Sequence, residues 1–137
     1  MPPITLDSLS IGDTLPPLTV KPISRTTLAL YAGASGDHNP IHLDIDFAKR
    51  FGLDDVIAHG MLIMAYAGRM LTDWVPQSAL QRFGVRFSAM TAVHDEITCT
   101  GTVTAKHEDG TVHVDLQAAD QRGDIKLAGE AVLRLAA

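Results

Sequence analysis

The sequence predicts an α+β protein in which an antiparallel sheet wraps around one long central apolar helix. Three observations predict it. Residues 61–74 are apolar on nearly every face, so a helix there must be surrounded by protein. After Pro76 the pattern changes to the apolar–polar alternation of strands. Helical and strand-like stretches are thus segregated along the chain, which is α+β order.

The elements follow from the N-terminus. Prolines at 2, 3, 16, 17 and 22 favour extended structure and turns over helix. Residues 18–23 alternate loosely and are expected as a first strand at a sheet edge, because Pro22 lacks a donor. Ser24 is an N-cap for a helix over 25–34, with Leu28, Tyr31, Ala32 and Ser35 at three- and four-residue spacing and Gly36 ending it. Residues 37–42 read as a loop through the Asn39-Pro40 step. Asp46 is expected to cap a short helix over 47–51, closed by Gly52.

His59-Gly60 opens the central helix. Its small residues Ala65, Ala67 and Gly68 permit close approach of a sheet, while Met61, Met64 and Met70 are expected to fill core space or, through their flexible thioethers, to line a tunnel. Beyond Pro76, Phe83, Val85 and Phe87 alternate with Gly84, Arg86 and Ser88. Ile97, Cys99, Gly101 and Val103 alternate with threonines, and Val112, Val114 and Leu116 with His113 and Asp115. Residues 128–135 make a last strand. Asp109-Gly110 is a strong hairpin signal, and residues 121–124 are a second turn.

Composition excludes several classes of function. The chain has 137 residues, a formal net charge of −5 and 46% hydrophobic residues, so a single domain over 1–137 is expected. An acidic balance argues against non-specific nucleic-acid binding, which needs a basic face. No apolar stretch reaches the roughly 18 residues of a membrane span. The first residues carry no basic segment followed by an apolar run, so no secretory signal and a cytoplasmic location are expected. Cys99 is the one cysteine, cannot form an internal disulfide, and is read as a small buried hydrophobe.

Reactive groups concentrate in Gly36-Asp37-His38-Asn39-Pro40-Ile41-His42. On a helix Asp37 and His42 point apart, but around a turn they can converge. A carboxylate and an imidazole sharing one water can activate it, one accepting a proton while the other orients or donates. The plain alternative is that Asp37 and Asn39 only make Asx turns with the backbone. Gly60 begins the apolar helix, where the first amides lack partners and lie at the positive end. Without a side chain, it lets a carbonyl oxygen approach its N–H, as in an oxyanion hole.

The longer string Tyr31-Ala32-Gly33-Ala34-Ser35-Gly36-Asp37-His38-Asn39-Pro40-Ile41-His42-Leu43-Asp44, with Ala48 following, closely resembles the hydratase-2 motif of the MaoC-like family. Val56-Ile57-Ala58-His59-Gly60-Met61-Leu62 resembles the family's next block, and Arg86-Phe87 followed by Asp95 a weaker third. The resemblance implies a hot-dog fold and (R)-specific hydration of trans-2-enoyl thioesters, or the reverse dehydration. It makes Asp37 and His42 the catalytic pair and Gly60 the amide that binds the thioester carbonyl, with Asn39 bracing the loop. It implies an acyl-CoA or acyl-ACP partner, with coenzyme A as part of the substrate and no separate cofactor. It also implies a homodimer or higher homo-oligomer, which pairing of exposed edge strands would favour. The chain departs from the family after Arg86-Phe87, where a proline and a Gly-Asp turn are usual. Residues 88–95 read Ser-Ala-Met-Thr-Ala-Val-His-Asp instead, in a region that shapes the substrate channel.

Other readings stay open beside this one. The chemistry also suits a 3-hydroxyacyl-ACP dehydratase subunit, while a hot-dog thioesterase directs water at the carbonyl and a binding module needs no water-activating pair. His38, His42, His59, Asp44 and Asp46 match no tight zinc spacing, so no metal is expected. His59 is expected to pack or bond at the helix start rather than to act in chemistry. His94, His107 and His113 are expected at the surface. Ser35 and Ser88 lack a Gly-x-Ser-x-Gly elbow. Arg82, Arg86, Lys106, Arg122 and Lys126 are candidates to meet coenzyme A phosphates, most of them expected as solvated charges on strand faces. Arg69 interrupts the apolar helix and either reaches solvent or pairs with an acid in the core.

Overall fold

The computed structural model describes residues 2–137. Helix α1 spans Arg25–Ser35, capped by the Ser24 hydroxyl, which accepts the Thr27 amide. Gly36 ends it in the left-handed region at φ 79°, a conformation with little penalty only for glycine, and its N–H donates to the Ala32 carbonyl. One 3-10 turn, Pro40–His42, leads into helix α2, Ile45–Arg50. The cap of α2 is Asp44 rather than the expected Asp46. An N-cap carboxylate must reach the second and third amides, and Asp44 Oδ1 accepts from Asp46 and Phe47. Asp46 falls in the first turn, where its charge faces the positive helix end.

The central helix α3 spans Gly60–Trp74 and contacts every strand of the sheet. The sheet comprises β1 (Leu18–Thr19), β2 (Leu80–Phe87), β3 (Thr98–Lys106), β4 (Thr111–Ala119) and β5 (Ile125–Arg134). Its spatial order is β1-β3-β4-β5-β2, with every neighbouring pair antiparallel. This is the hot-dog arrangement. The first strand is shorter than the expected 18–23. Val20 and Ile23 still donate to the Ile97 and Asp95 carbonyls, but those lie ahead of β3, where no regular ladder continues.

Alternation places one side of each strand inward. Ile97, Cys99, Val103, Val112, Val114, Leu116, Leu127, Ala131 and Leu133 are buried. They join Ile63, Ala67, Met70 and Leu71 of α3 in one continuous apolar cluster. Gly68 admits the sheet closely, since a Cβ there would come 3.2 Å from the Phe83 ring. Contrary to the sequence pattern, α3 is not enclosed all round. Met61, Ala65 and Arg69 form an exposed stripe, with Met61 56% exposed, because the sheet covers only part of the helix circumference. Arg69 reaches solvent and lies 3.7 Å from Asp73, one turn on.

The strand order has one consequence for function. β2 lies at the edge beside β5, whereas β3 lies two strands beyond β5. Residues 88–97 must therefore carry the chain past the ends of β5 and β4. That crossover forms one wall of the site described next.

Candidate active site

Gly36 turns the chain out of α1 and into the loop that carries the reactive groups. The Asp37 amide donates to Ser35 Oγ at 3.2 Å, Asp37 Oδ1 accepts the Asn39 amide at 3.3 Å, and Asn39 Oδ1 accepts the Ile41 amide at 3.0 Å. The Asx turns of the plain reading are thus present. They occupy only one oxygen of the Asp37 carboxylate. The other, Oδ2, lies 3.8 Å from His42 Nε2.

The tautomer of His42 follows from its second contact. His42 Nδ1 sits 2.7 Å from the Ile57 carbonyl oxygen, which can only accept, so Nδ1 carries the hydrogen. In the neutral ring the lone pair is then on Nε2, facing Asp37. Two acceptors 3.8 Å apart cannot bond each other, but a single water can donate to both. The His42 side chain is 12% exposed and that of Asp37 53% exposed, so the pair sits at a mouth rather than in the core.

His59 lies behind the pair and is 1% exposed. Its Nε2–H donates to the Asp37 main-chain carbonyl at 3.1 Å, and its ring stacks on that of His42, with centroids 3.9 Å apart and planes at 25°. Burial lowers its pKa. The Asp37 carbonyl and carboxylate oppose that shift, while the His42 charge reinforces it. The donor atoms of Asp37, His42 and His59 lie within 4.8 Å of one another. They suit a metal poorly, because stacked rings send their in-plane lone pairs along nearly parallel planes. A tetrahedral ion needs those lone pairs to converge at about 2.1 Å.

Gly60 is the first residue of α3, and no side chain caps that helix. A Cβ at this position would come 3.2 Å from Phe87 Cε1, so glycine lets the Phe87 ring pack closely against the helix start. The adjoining cavity, about 370 Å³, is lined by His42, Gly60, Ile63, Phe87, Met90 and Lys126 among others. Its walls are mostly apolar. A larger cavity of about 660 Å³ lies at the opposite end of α3, beside Met70 and Trp74, and none of the residues singled out above for chemistry lines it.

Lys126 corrects the expectation of solvated basic residues. It is buried, donates to the Met90 carbonyl at 2.9 Å, and lies 3.2 Å from Asp120 Oδ2 and 3.8 Å from Asp95 Oδ2. Arg122 bridges the same two acids at 3.1 Å and 2.6 Å. Burial pushes the Asp120 carboxyl up, but the Asp124 and Arg122 amides and the Lys126 ammonium outweigh it and hold it at about 2. Lys106 is tied to the Leu6 and Leu9 carbonyls. Arg82 and Arg86 have no carboxylate partner among the described residues. The burial of Lys126 is not legible in the sequence because Leu127, on the opposite strand face, is buried too, and alternation cannot bury both. Only the crossover covers the lysine.

The chain resembles known proteins over most of its length. A family model described as the MaoC like domain matches residues 10–122. An (R)-specific enoyl-CoA hydratase from Aeromonas caviae is 31% identical over 118 residues, covering 84% of this chain and 88% of that protein. A mitochondrial 3-hydroxyacyl-[acyl-carrier-protein] dehydratase from Arabidopsis thaliana is 29% identical over 65% of this chain and 52% of that protein. The unliganded structure of the R-hydratase PhaJ1 from Pseudomonas aeruginosa superposes with a TM-score of 0.87 at 27% identity, covering 98% of this chain and 86% of that one. The hot-dog fold, the motif around Asp37 and His42 and these relatives agree: the chain belongs to the MaoC-like domain family.

Proposed function

We propose that the protein catalyses reversible (R)-specific hydration of trans-2-enoyl-CoA to (R)-3-hydroxyacyl-CoA. The observation that carries this reading is the 3.8 Å gap between Asp37 Oδ2 and His42 Nε2, with His42 and Gly60 both lining an apolar cavity. Both atoms are acceptors, so the pair is built to take hydrogens from one water. The thioester carbonyl oxygen would rest on the Gly60 amide at the positive end of α3, which stabilises negative charge as it develops. Water oxygen would bond to C3 as one of its protons passes to the Asp37–His42 pair. The pair would return a proton to C2, so water adds across the double bond on one face with nothing left over. Asn39 braces the loop through the Ile41 amide. In this reading no separate cofactor takes part, since coenzyme A is the carrier portion of the substrate.

The experiment is a hydration assay across enoyl-CoA chain lengths, following loss of enoyl absorbance, with chiral analysis of the product. An (R)-3-hydroxyacyl product is expected, and an (S)-product would overturn the proposal. The resemblance to an acyl-carrier-protein dehydratase favours a second reading in which the carrier is ACP. Parallel rates on CoA and ACP thioesters separate the two.

The reading extends to a homodimer joined along β2. One edge of the sheet is covered, because residues 12–15 bond to β3 and continue into β1. The other edge is the eight-residue β2, whose outer backbone groups have no partner strand among the described residues. Light scattering after size exclusion should report twice the chain mass, and an active monomer would sink this assignment.

A further inference from the structure

We infer that His59 is a positioning residue for the reaction, holding the Asp37 main chain through its Nε2–H and the His42 ring through its face. The inference rests on the hydratase reading above and adds to it a residue outside the Asp37–His42 pair.

His59 does not act as a helix cap. It occupies the N-cap of α3, a place where Ser, Thr, Asp or Asn normally bonds the free helix amides, yet its side chain makes no capping bond. One ring nitrogen, Nδ1, is buried without a partner among the described residues. A buried polar atom with no partner costs stability and calls for another explanation. That explanation lies in the ring's remaining contacts. Nε2–H holds the Asp37 carbonyl at 3.1 Å, one face carries His42 at 3.9 Å, and Tyr31 meets the ring edge-on at 4.8 Å. Tyr31, Asp37 and His42 are thus the titratable groups packed against it.

The neighbours of His59 complete the pattern. The Ile57 carbonyl fixes the His42 tautomer, His59 fixes the Asp37 main chain and the His42 plane, and Gly60 presents the open helix start. Residues 57–60 therefore set the relative position of every group in the proposed reaction. The segment is itself pinned on both sides, by Ile57 N–H to the Ile41 carbonyl and by Ala58 N–H to the Thr91 carbonyl. Burial lowers the His59 pKa, which disfavours a second positive charge beside His42.

Two variants of the full chain test this. His59→Leu keeps bulk and removes the donor, while His59→Gln returns an amide N–H near the position of Nε2. With crotonyl-CoA as substrate, His59→Leu should lower kcat roughly 10- to 100-fold with KM within about threefold, the size expected from slight misplacement of reacting groups. His59→Gln should recover most of that loss. Two folded variants with wild-type kcat, or a change confined to KM, would overturn the inference. Wild-type chain without hydratase activity would instead sink the functional reading and leave the positioning role to a second measurement. That measurement is 15N NMR of the imidazoles in the wild-type protein, which also serves if the variants do not fold. It should find the neutral His59 ring with its hydrogen on Nε2, the tautomer that the bond to the Asp37 carbonyl requires. Hydrogen on Nδ1 instead would overturn the inference.

Discussion

Two clusters of charged and polar side chains reach the same cavity, one through His42 and the other through Lys126, and they are built in opposite ways. The loop cluster of Asp37, His42 and His59 has spare bonding capacity. One carboxylate oxygen and one imidazole nitrogen face each other without touching, and the carboxylate is half exposed. The crossover cluster of Asp95, Asp120, Arg122 and Lys126 is nearly saturated. Every one of these charges has an opposite partner, and Asp120 has two backbone amides besides. The difference shows that proximity of ionisable groups does not by itself make a reactive site. A group that is to act on substrate must keep an unsatisfied atom toward an open volume, whereas a group that holds a wall in place must keep none.

The largest effect that sharpens this contrast is on rate. Asp37→Asn keeps the Oδ1 acceptor for the Asn39 amide and removes the charge, so the loop should survive. This change and His42→Ala should each lower kcat roughly 10²- to 10⁴-fold, the usual share of general acid–base catalysis. Steady-state hydration of crotonyl-CoA measures it, and near-normal turnover by both variants would remove the pair from the mechanism. The mirror experiment is Lys126→Met. It strips a cation from two buried acids and should cost about 3–5 kcal/mol of stability, with turnover per folded molecule far less affected. Urea unfolding reads the loss, and a change inside measurement error would mean that the cluster holds nothing.

Acid should separate the clusters by pH. Asp120 is held at about 2 in the folded chain and is at 3.8 as a free side chain. A depressed carboxylate stabilises above its unfolded value and loses that contribution as pH falls through the folded one. The crossover should therefore weaken only between about pH 4 and pH 2. His59 works in a different window. Its folded pKa lies below 6.5, so the unfolded chain takes up the proton first and stability declines as pH drops below that value. Circular dichroism of thermal unfolding from pH 8 to pH 3 should thus show a first decline starting near 6.5, and His59→Gln should abolish it. A decline unchanged in the variant would point to another group.

The smallest effect concerns a residue in neither cluster. Burial pushes the Cys99 thiol up to about 11, so it is almost wholly protonated at neutral pH. Iodoacetamide should label it slowly in the native protein and readily in denaturant. Fast native labelling would show that β3 opens.

Much of this was legible in residue order, for identifiable reasons. The Ser24 cap, the Gly36 stop and the Asp109-Gly110 turn depend on neighbours within a few residues, and the structure contains each of them. Alternation locates the strands of the second half, although β5 begins at Ile125 rather than at the expected residue 128, where buried Lys126 and Leu127 break the pattern. The α2 boundary slipped because Asp44 and Asp46 both have capping chemistry, and only the direction of the chain leaving Pro40–His42 selects between them. Met61 was misjudged because periodicity records which faces of a helix are apolar but not how far a sheet reaches around it.

By itself the sequence determined the reactive loop, the order of elements and the inward faces of the strands, because turns, caps and alternation are local matters. Only tertiary structure decided that β2 pairs with β5, that the crossover walls the cavity, and that Lys126 is buried within an ion-paired cluster. The same holds for His59, which meets Asp37 from 22 residues away. Those contacts join segments that are distant along the chain, and they form only once burial of the apolar residues of α3 and the strands has drawn the segments together.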